Sequence, residues 1–393
     1  FLAERSKLRA LLRRHSSHPA ADATRPAAGS YGRIEQKLWA VDRKIRAYRT
    51  TGTSTAKRRR EVDFGLVQRF LRPEESLLLY SVSSGTLRAF AVTAERTSLI
   101  DLGVSLDQVR LLSRKLHFLC ERAVHSRSQS GDAVLFQLRE LHRLLILPIE
   151  PVIGTSELIV LCDPAMPQVP FGLLQDRYGQ YLSDARALSL IVSPDDLSER
   201  EAGPFDFSTH ANAVFAAGSR SIPAVEEEGL KLHEVFPTAR YYPSADATRA
   251  NLTHELRQVD GFLHIAAHAA CDSENPLFSR ILLNDGPYFP FDLLFQGIRA
   301  RLVTLSGCQT AAPGLYSGNS FSLAKSVYQA GGRWVVASQW PVTDRLSMVF
   351  MVAFYERLRR TGDVRSAYTE AVASLRRDVT DPALWGSFVL LGM

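Results

Sequence analysis

A histidine and a cysteine each follow a short apolar run of the sequence, and together they could form a nucleophilic pair. Residues 261–267 lead to His268, and residues 301–307 lead to Cys308. Apolar runs of this length, separated by segments with helical periodicity, are typical of parallel strands covered on both faces. Catalytic groups of such sheets lie beyond the carboxyl ends of the strands. We therefore expect His268 and Cys308 to meet at one sheet edge, where an imidazole can activate a thiol.

Two other interpretations of these side chains stay open at this point. Taken singly, a strand-end cysteine or histidine is more often a packed structural residue than a catalytic one. A zinc site is a further candidate, with ligands from His264, His268, Cys271 and Cys308. His264 lies inside the first run, however, so its reach to a metal at the strand end is poor. The joint position of His268 and Cys308 favours the nucleophilic pair, and we expect no metal and no other cofactor.

The elements around this pair predict a doubly wound α/β sheet. A third apolar run, 333–338, follows the first two, and helical patterns separate all three. Further upstream, Ser83-Ser84-Gly85 separates two strand-like runs, 76–82 and 87–93, which predicts a β-hairpin. From residue 213 onward, strand and helix patterns alternate in the order typical of such a fold. The other predicted elements are helices at 106–124, 133–145, 224–236, 250–259, 291–298, 321–329, 346–359 and 364–377, and strands at 158–161, 187–192, 213–217 and 388–391.

The composition is that of an ordinary soluble globular protein. Of the 393 residues, 46% are hydrophobic and 22% are charged. No run of 18 apolar residues is present, so no transmembrane helix is predicted, and no leader resembles a secretory signal. The four cysteines lack the spacing of a disulfide framework, which favours a reducing compartment. We therefore expect a cytoplasmic protein that does not bind membranes.

The N-terminal segment is strongly basic. Residues 1–60 contain 16 Lys and Arg against 4 Asp and Glu, a net charge of +12, so the rest of the chain carries −6 of the total of +6. A basic arm can bind nucleic acid or an acidic partner. Residues 57–60 lack interleaved aromatic side chains, however, so a solvated basic face is favoured over nucleic-acid binding. We assign 1–74 to a basic helical segment and linker, with helices at 1–16 and 34–49, and 75–393 to the main domain.

Several motifs resemble those of the CHAT family of caspase-like cysteine proteases. Two of them contain the pair: LHIAAHA at 263–269, followed by ENPLFS at 274–279, and LVTLSGCQT at 302–310. The other matching stretches are DP at 163–164, VPF at 169–171, SIPAVEE at 221–227, ASQWPVTD at 337–344 and WGSFVLLG at 385–392. The resemblance extends in order over about 75–393, and its last strand block is also similar to separase.

This resemblance implies a caspase–haemoglobinase α/β/α fold with a mostly parallel central sheet. It also implies a cysteine endopeptidase that cleaves a protein substrate with His268 and Cys308 as its dyad. The backbone N–H groups of Ala269 and Cys308 are the implied oxyanion hole. Proteases of the family are similar to regulated effectors joined to helical-repeat sensors, often in prokaryotic antiviral defence. An upstream sensor or activator, as a partner or as a repeat region ending within 1–74, is therefore expected.

Two positions depart from the family pattern. The family usually has glycine after the histidine and glutamate after the cysteine, where this chain has Ala269 and Gln309. If the backbone at Ala269 needs a positive φ, its methyl group would strain the chain and misaim the N–H donor. A catalytically inactive caspase-like scaffold that binds partners is therefore the alternative function. The intact His268 and Cys308 favour the active enzyme.

Asp344 is the candidate for substrate specificity. As a helix N-cap it would need no ligand, because Asp is a preferred capping residue. The resemblance to separase instead implies a pocket, because the matching acidic position there recognises a basic residue before the scissile bond. We expect Asp163, at the end of an earlier strand, to contribute a second negative charge. The other expected substrate contacts are Trp340, Gln339 and Gln309.

Overall fold

A computed structural model describes residues 62–126, 131–154, 157–198, 200, 203–218, 223–271, 279–307, 310–311 and 322–393. The residues from Asp63 onward belong to one compact unit. The helices predicted at 1–16 and 34–49 lie outside the described residues, and so do Cys308 and Gln309. Within the described ranges, no helix is both long enough and apolar enough to cross a membrane.

The described residues form fourteen strands and twelve α-helices. The strands are β1 Glu75–Ser83, β2 Thr86–Thr93, β3 Thr97–Ser105, β4 Glu157–Leu161, β5 Leu188–Ile191, β6 Ala213–Ala217, β7 Arg240–Tyr242, β8 Phe262–Ala267, β9 Ala269–Ala270, β10 Arg280–Leu283, β11 Gly286–Tyr288, β12 Leu302–Ser306, β13 Trp334–Ser338 and β14 Phe388–Gly392. The helices are α1 Phe64–Phe70, α2 Leu106–Ser126, α3 Gly131–Leu145, α4 Glu150–Ile153, α5 Leu182–Ala185, α6 Pro223–Val235, α7 Arg249–Gln258, α8 Pro290–Gln296, α9 Leu323–Gln329, α10 Asp344–Thr361, α11 Val364–Asp378 and α12 Pro382–Trp385. Three short 3-10 helices cover Phe171–Leu173, Pro194–Leu197 and Phe207–Thr209.

Eleven of these strands form one large sheet, in the order β3-β2-β1-β4-β5-β14-β13-β12-β8-β6-β7. Parallel pairing joins β6, β8, β12 and β13, and also joins β1, β4 and β5. The antiparallel strand β14 follows β13, and it meets β5 at a single residue pair. The mostly parallel sheet of an α/β protein, as predicted, is confirmed.

The strands read as unbroken apolar runs because helices cover both faces of the sheet. Phe262 and Leu302 enter the core beneath α6, α10 and α11, whereas Leu263 and Val303 enter the core beneath α7, α8 and α9. Burying each such side chain contributes roughly 1.5–3 kcal/mol. This burial on both faces fixes the positions of the strand ends that carry the candidate site.

The predicted hairpin is present, and its turn has the expected chemistry. β1 and β2 pair antiparallel up to Ser83 and Thr86, which leaves a two-residue turn. Ser84 has φ of 51° and Gly85 has φ of 79°. Two successive positive φ values suit the right-handed twist of the flanking strands.

Short or exposed strands account for the main differences from the sequence prediction. β9, β10 and β11 form a separate three-stranded sheet between β8 and β12 in the chain. The two strands beneath the candidate pair are therefore adjacent in space, as expected, but they are not consecutive in sequence. β3 and β7 also had no prediction, because β3 is largely exposed and β7 has only three residues.

Residues 63–74 lie with the sheet and not apart from it. Asp63 caps α1 by accepting a hydrogen bond from the Leu66 amide at 3.1 Å. The Phe64 ring centroid is 5.0 Å from that of Phe90 on β2. The compact unit thus begins about a dozen residues before the predicted boundary at Glu75.

Candidate active site

His268 directly follows β8, and its backbone is held by the small sheet. The Leu282 amide on β10 donates to the His268 carbonyl at 2.8 Å, and Ala269 stands opposite Ile281. The imidazole itself is exposed. The fold therefore fixes the main chain at this position and leaves the side chain accessible to a substrate.

The ends of β8 and β12 touch through their backbones. The parallel register pairs Ala266 with Ser306, and Gly307 comes next along β12. A Cβ atom added to Gly307 would lie 2.5 Å from the Ala267 carbonyl oxygen, closer than real contacts allow. Gly307 is therefore required by the approach of the protein's own chain. His268 follows one of the two touching residues, and Cys308 follows the other.

A pocket at this edge brings several of the predicted features together. Its walls include His268 and Gly307 at the strand ends, and Asp344 and Ser347 at the start of α10. Ser347 also binds β12, because its hydroxyl lies 3.0 Å from that of Ser306. The start of α10 is thereby held over the carboxyl ends of the central strands.

Asp344 shares this pocket with His268, and another residue caps the helix. The Thr343 hydroxyl accepts a hydrogen bond from the Leu346 amide at 3.4 Å, so Thr343 is the N-cap of α10. Asp344 is the first helical residue, and its side chain is exposed. An anion at this position is stabilised by the positive end of the helix dipole. Its carboxylate therefore stands at the pocket rim with no capping role.

Glu228 also lines the pocket, and it is a residue that the sequence analysis missed. It is 2% exposed, whereas Glu226 and Glu227 beside it on α6 are exposed. The helical period of α6 carries the only available signal, since Val225 and Glu228 are three residues apart on one face. A run of three glutamates nevertheless predicts a helix face that is exposed to solvent.

Behind Glu228 lies a chain of buried polar side chains. His264 has its Nε2 atom 2.9 Å from Glu228 Oε1 and its Nδ1 atom 2.6 Å from the Thr304 hydroxyl. Thr304 in turn lies 2.7 Å from the hydroxyl of Tyr355 on α10. Burial raises the pKa of Tyr355, which keeps that hydroxyl protonated. Both nitrogens of His264 thus face α6 and β12, which disfavours the zinc site drawn from His264 and His268.

Two residues predicted to contact substrate lie in the interior instead. Trp340 is fully buried, and its indole N–H donates to the Ala383 carbonyl at 2.7 Å. Gln339 is 3% exposed and lines a separate apolar cavity beside β5, β14 and α11. Neither residue lies on the pocket of His268, because the chain turns inward after β13 to pack against α12.

Asp163 is also absent from this pocket. Its carboxylate accepts hydrogen bonds from the Val82 amide at 3.0 Å and the Ala165 amide at 2.8 Å. It follows β4, which is five strands away from β8 in the sheet order. At about 4.8 Å per strand, this separation is roughly 24 Å. Asp163 therefore stabilises a turn, and Glu228 is the second carboxylate beside Asp344.

The backbone at Ala269 does not need glycine. Among the described residues, Ser84 alone is a non-glycine residue with a positive φ, so the methyl group of Ala269 causes no left-handed strain. The hydrogen bond from Leu282 to His268 makes that pair a bonded one, and bonded and non-bonded pairs alternate in antiparallel strands. The Ala269 N–H therefore points away from β10.

The chain is similar in sequence to known proteins. The model of the CHAT domain matches residues 137–393, which is more than half of the chain. The chain belongs to the CHAT domain family. The human tetratricopeptide repeat protein 28 (Homo sapiens) is 22% identical over 327 residues, which cover 65% of this chain and 13% of that protein. The CHAT chain thus spans a small part of its curated relative.

Some solved structures are similar to this CHAT domain, to different degrees. Separase in the Saccharomyces cerevisiae separase–securin complex has a TM-score of 0.58 at 10% identity, over 84% of this chain and 30% of that chain. The Arg-specific cysteine proteinase gingipain R has a TM-score of 0.45 at 10% identity, over 72% and 73% of the two chains. The separase comparison shows that the CHAT domain has a similar α/β fold.

Proposed function

We propose that this CHAT domain is a cysteine endopeptidase with His268 and Cys308 as its dyad. The observation that carries the proposal is the backbone contact between Ala267 and Gly307, the residues directly before the pair. The register of β8 and β12 pairs Ala266 with Ser306. His268 and Cys308 each stand two positions after these partners in the sequence, which supports their meeting. Opposite positions of neighbouring parallel strands are about 4.8 Å apart, within reach for an imidazole and a thiol.

In the proposed reaction, the His268 imidazole takes the proton of the Cys308 thiol. The thiolate forms a bond to the carbonyl carbon of the substrate, and the electron pair of the C=O bond moves to the oxygen. The C–N bond then breaks, and the amine leaves with the proton from the imidazolium. Water attacks the resulting thioester, which releases the acid and restores the thiol. The N–H groups of Ala269 and Cys308 stabilise the oxyanion, and the Ala269 N–H, which points away from β10, is available for that role.

The pocket charge supports a basic side chain before the scissile bond. Among the described lining residues, Asp344 and Glu228 are carboxylates, and none is a lysine or an arginine. A guanidinium group that enters the pocket would form a charge-assisted hydrogen bond with the Asp344 carboxylate. Asp344→Asn should therefore lower kcat/KM for Arg substrates at least roughly tenfold while sparing neutral ones.

A control for this variant is Asp132→Asn, which alters an exposed aspartate in the first turn of α3. It should leave both substrate classes unchanged. If cleaved peptides show no enrichment of Arg or Lys before the cut, or Asp344→Asn lowers only the melting temperature, the basic preference is wrong.

The experiment that tests the activity compares new protein termini produced by three forms of the full chain. Wild type should generate cleavages that Cys308→Ala and His268→Ala both abolish. The losses should not add in the double variant, because the two groups act as a unit. Equal cleavage by wild type and Cys308→Ala would rule out the proposed nucleophile.

The biological setting of the proposal rests on the family. We place the protease in the cytoplasm as a regulated effector with an upstream sensor or activator, of the kind found in prokaryotic antiviral defence. The repeats in the name of the human relative are in keeping with a helical-repeat region beside a CHAT domain. The inactive scaffold is the weaker alternative, because Ala269, the departure that favours it, has no positive φ.

A further inference from the structure

Ser338, the last residue of β13, holds the chain on both sides of the proposed nucleophile. Its hydroxyl donates to the Gly307 carbonyl at 2.7 Å. Its amide donates to the Thr310 hydroxyl at 3.1 Å, and its carbonyl accepts from the Ala311 amide at 2.8 Å. All three hydrogen-bonding groups of Ser338 therefore bind residues that flank 308–309.

Thr310, which follows 308–309, also binds the chain before the proposed nucleophile. Its hydroxyl lies 3.3 Å from the Leu305 carbonyl and 3.4 Å from the Gly307 carbonyl. Thr310 and Ser338 are each 2% exposed. The Gly307 carbonyl thus accepts one short bond from Ser338 and shares the proton of Thr310, and both donor residues are buried.

A held carbonyl fixes the amide that follows it. A peptide unit is planar and almost always trans, so the direction of a C=O group also sets the direction of the next N–H. The N–H after the Gly307 carbonyl belongs to residue 308, the second donor of the proposed oxyanion hole. Hydrogen bonds accepted by the carbonyl also polarise the peptide, which strengthens this N–H as a donor.

We infer that Ser338 is a positioning residue that aims the oxyanion-binding N–H of residue 308, with Thr310 as its support. The inference rests on the proposed protease function. The Ser338 hydroxyl thus acts on oxyanion binding and not on thiolate formation. Loss of the Ser338 hydroxyl weakens binding of the oxyanion in the transition state and leaves the His268–Cys308 pair able to form a thiolate.

Two inhibitor classes test this separation on the full-length protein. The thiolate adds to the carbonyl carbon of a peptide aldehyde, which places the former carbonyl oxygen in the oxyanion hole. Chloroacetamide forms a C–S bond and loses chloride, so no oxyanion develops. Ser338→Ala should reduce kcat and aldehyde affinity roughly 10- to 100-fold, less than the ~10²–10³ typical for loss of an entire donor. KM and the Cys308-dependent alkylation rate should stay within about twofold.

The matched control is Ser326→Ala. Ser326 is also a buried serine, and its hydroxyl donates to the Ser322 carbonyl at 3.0 Å within α9, away from the pocket. It should leave aldehyde affinity and alkylation unchanged. If Ser338→Ala does not fold, Thr310→Val provides the same comparison and should also lower aldehyde affinity more than alkylation.

The inference fails if aldehyde affinity and alkylation fall together in the variants, because the thiol itself has then moved, or if neither changes. Failure of the underlying function has a different signature. In that case the wild-type protein already shows no Cys308-dependent reaction with either inhibitor, and both proposals are overturned.

Discussion

At the scale of single residues, Gly307 and Ala269 determine the backbone geometry at the ends of β8 and β12. Gly307 lets the ends of β8 and β12 touch, because a Cβ atom there would collide with the Ala267 carbonyl. Ala269 shows the opposite case, in which a departure from the family glycine meets a backbone that accepts alanine. Backbone geometry, and not residue type alone, decides which glycine of the motif is needed.

Ala269→Gly is expected to leave the kinetics nearly unchanged. The methyl group of Ala269 causes no left-handed strain, so its removal releases none. We expect kcat and KM for a peptide substrate to stay within about twofold of wild type. A rise of tenfold or more in kcat would mean that the methyl group does misaim the oxyanion donor.

Gly307→Ala should reduce both stability and activity. The added methyl group must displace the Ala267 carbonyl, and overpacking of this kind costs about 1–3 kcal/mol. Denaturant unfolding measures the stability, and peptide cleavage measures the activity. The control is Gly131→Ala at the start of α3, where a Cβ atom meets nothing within 4 Å. Wild-type stability for Gly307→Ala would show that the two strand ends are free to move apart.

At the scale of elements, the buried strands are the most predictable part of the fold. Apolar runs such as β8 and β12 are visible because both of their faces are covered. The hairpin is predictable from Ser84 and Gly85, which tolerate the backbone of its turn. The sheet of β9, β10 and β11 is not, because strands of two to four residues leave no period to detect.

The candidate site is predictable in part for the same reason. His268 and Asp344 follow elements that the sequence locates, and the structure sets both on one pocket. Glu228 is missed because its burial depends on contacts between α6 and the strand end. Trp340 and Asp163 were predicted at the site but lie elsewhere. A position after a strand does not tell whether the side chain points to solvent, the core or a turn. Cys308 stays a prediction.

Helix α9 supplies a pH-dependent prediction. Burial lowers the pKa of Lys325 to about 8, below its ordinary 10.5, and burial raises the pKa of nearby Cys162 to about 12. Between pH 8 and 10.5 the unfolded chain binds more protons at Lys325, so this residue makes folding more favourable as pH rises. Below pH 8 the buried ammonium is a net cost of up to about 3 kcal/mol.

Lys325→Met should therefore stabilise the protein at pH 7, and the difference from wild type should shrink as pH approaches 10.5. Unfolding in denaturant at pH 7 and pH 9.5 measures the two differences. Comparing the variant with wild type at each pH removes the titration of all other groups. A difference that does not change with pH would contradict the lowered pKa.

At the scale of the whole molecule, the two ends of the parallel strands have different roles. The starts of β1, β4, β12 and β13 line a charged cavity in which Arg200 pairs with buried Glu75 at 2.7 Å. The carboxyl ends of β8 and β12 lie on the opposite side of the sheet from this cavity and line the pocket of His268. Catalytic groups beyond the carboxyl ends of parallel strands are the general rule for such folds. It is at this end of the strands that we propose His268 to activate Cys308.

The most direct test is the pH dependence of Cys308 alkylation by chloroacetamide, with and without His268. A Cys271→Ser background removes a partly exposed thiol three residues beyond His268. The buried Cys120 and the partly buried Cys162 both have raised pKa values, so they react slowly below pH 9. His254→Ala, which removes an exposed histidine on α7, is the control for the substitution itself.

If His268 and Cys308 form the dyad, wild type should react at and below neutral pH, with a midpoint well under the ordinary thiol value of about 8.5. His268→Ala should move that midpoint up toward about 8.5, and His254→Ala should leave it in place. Coincident profiles for wild type and His268→Ala would contradict the account.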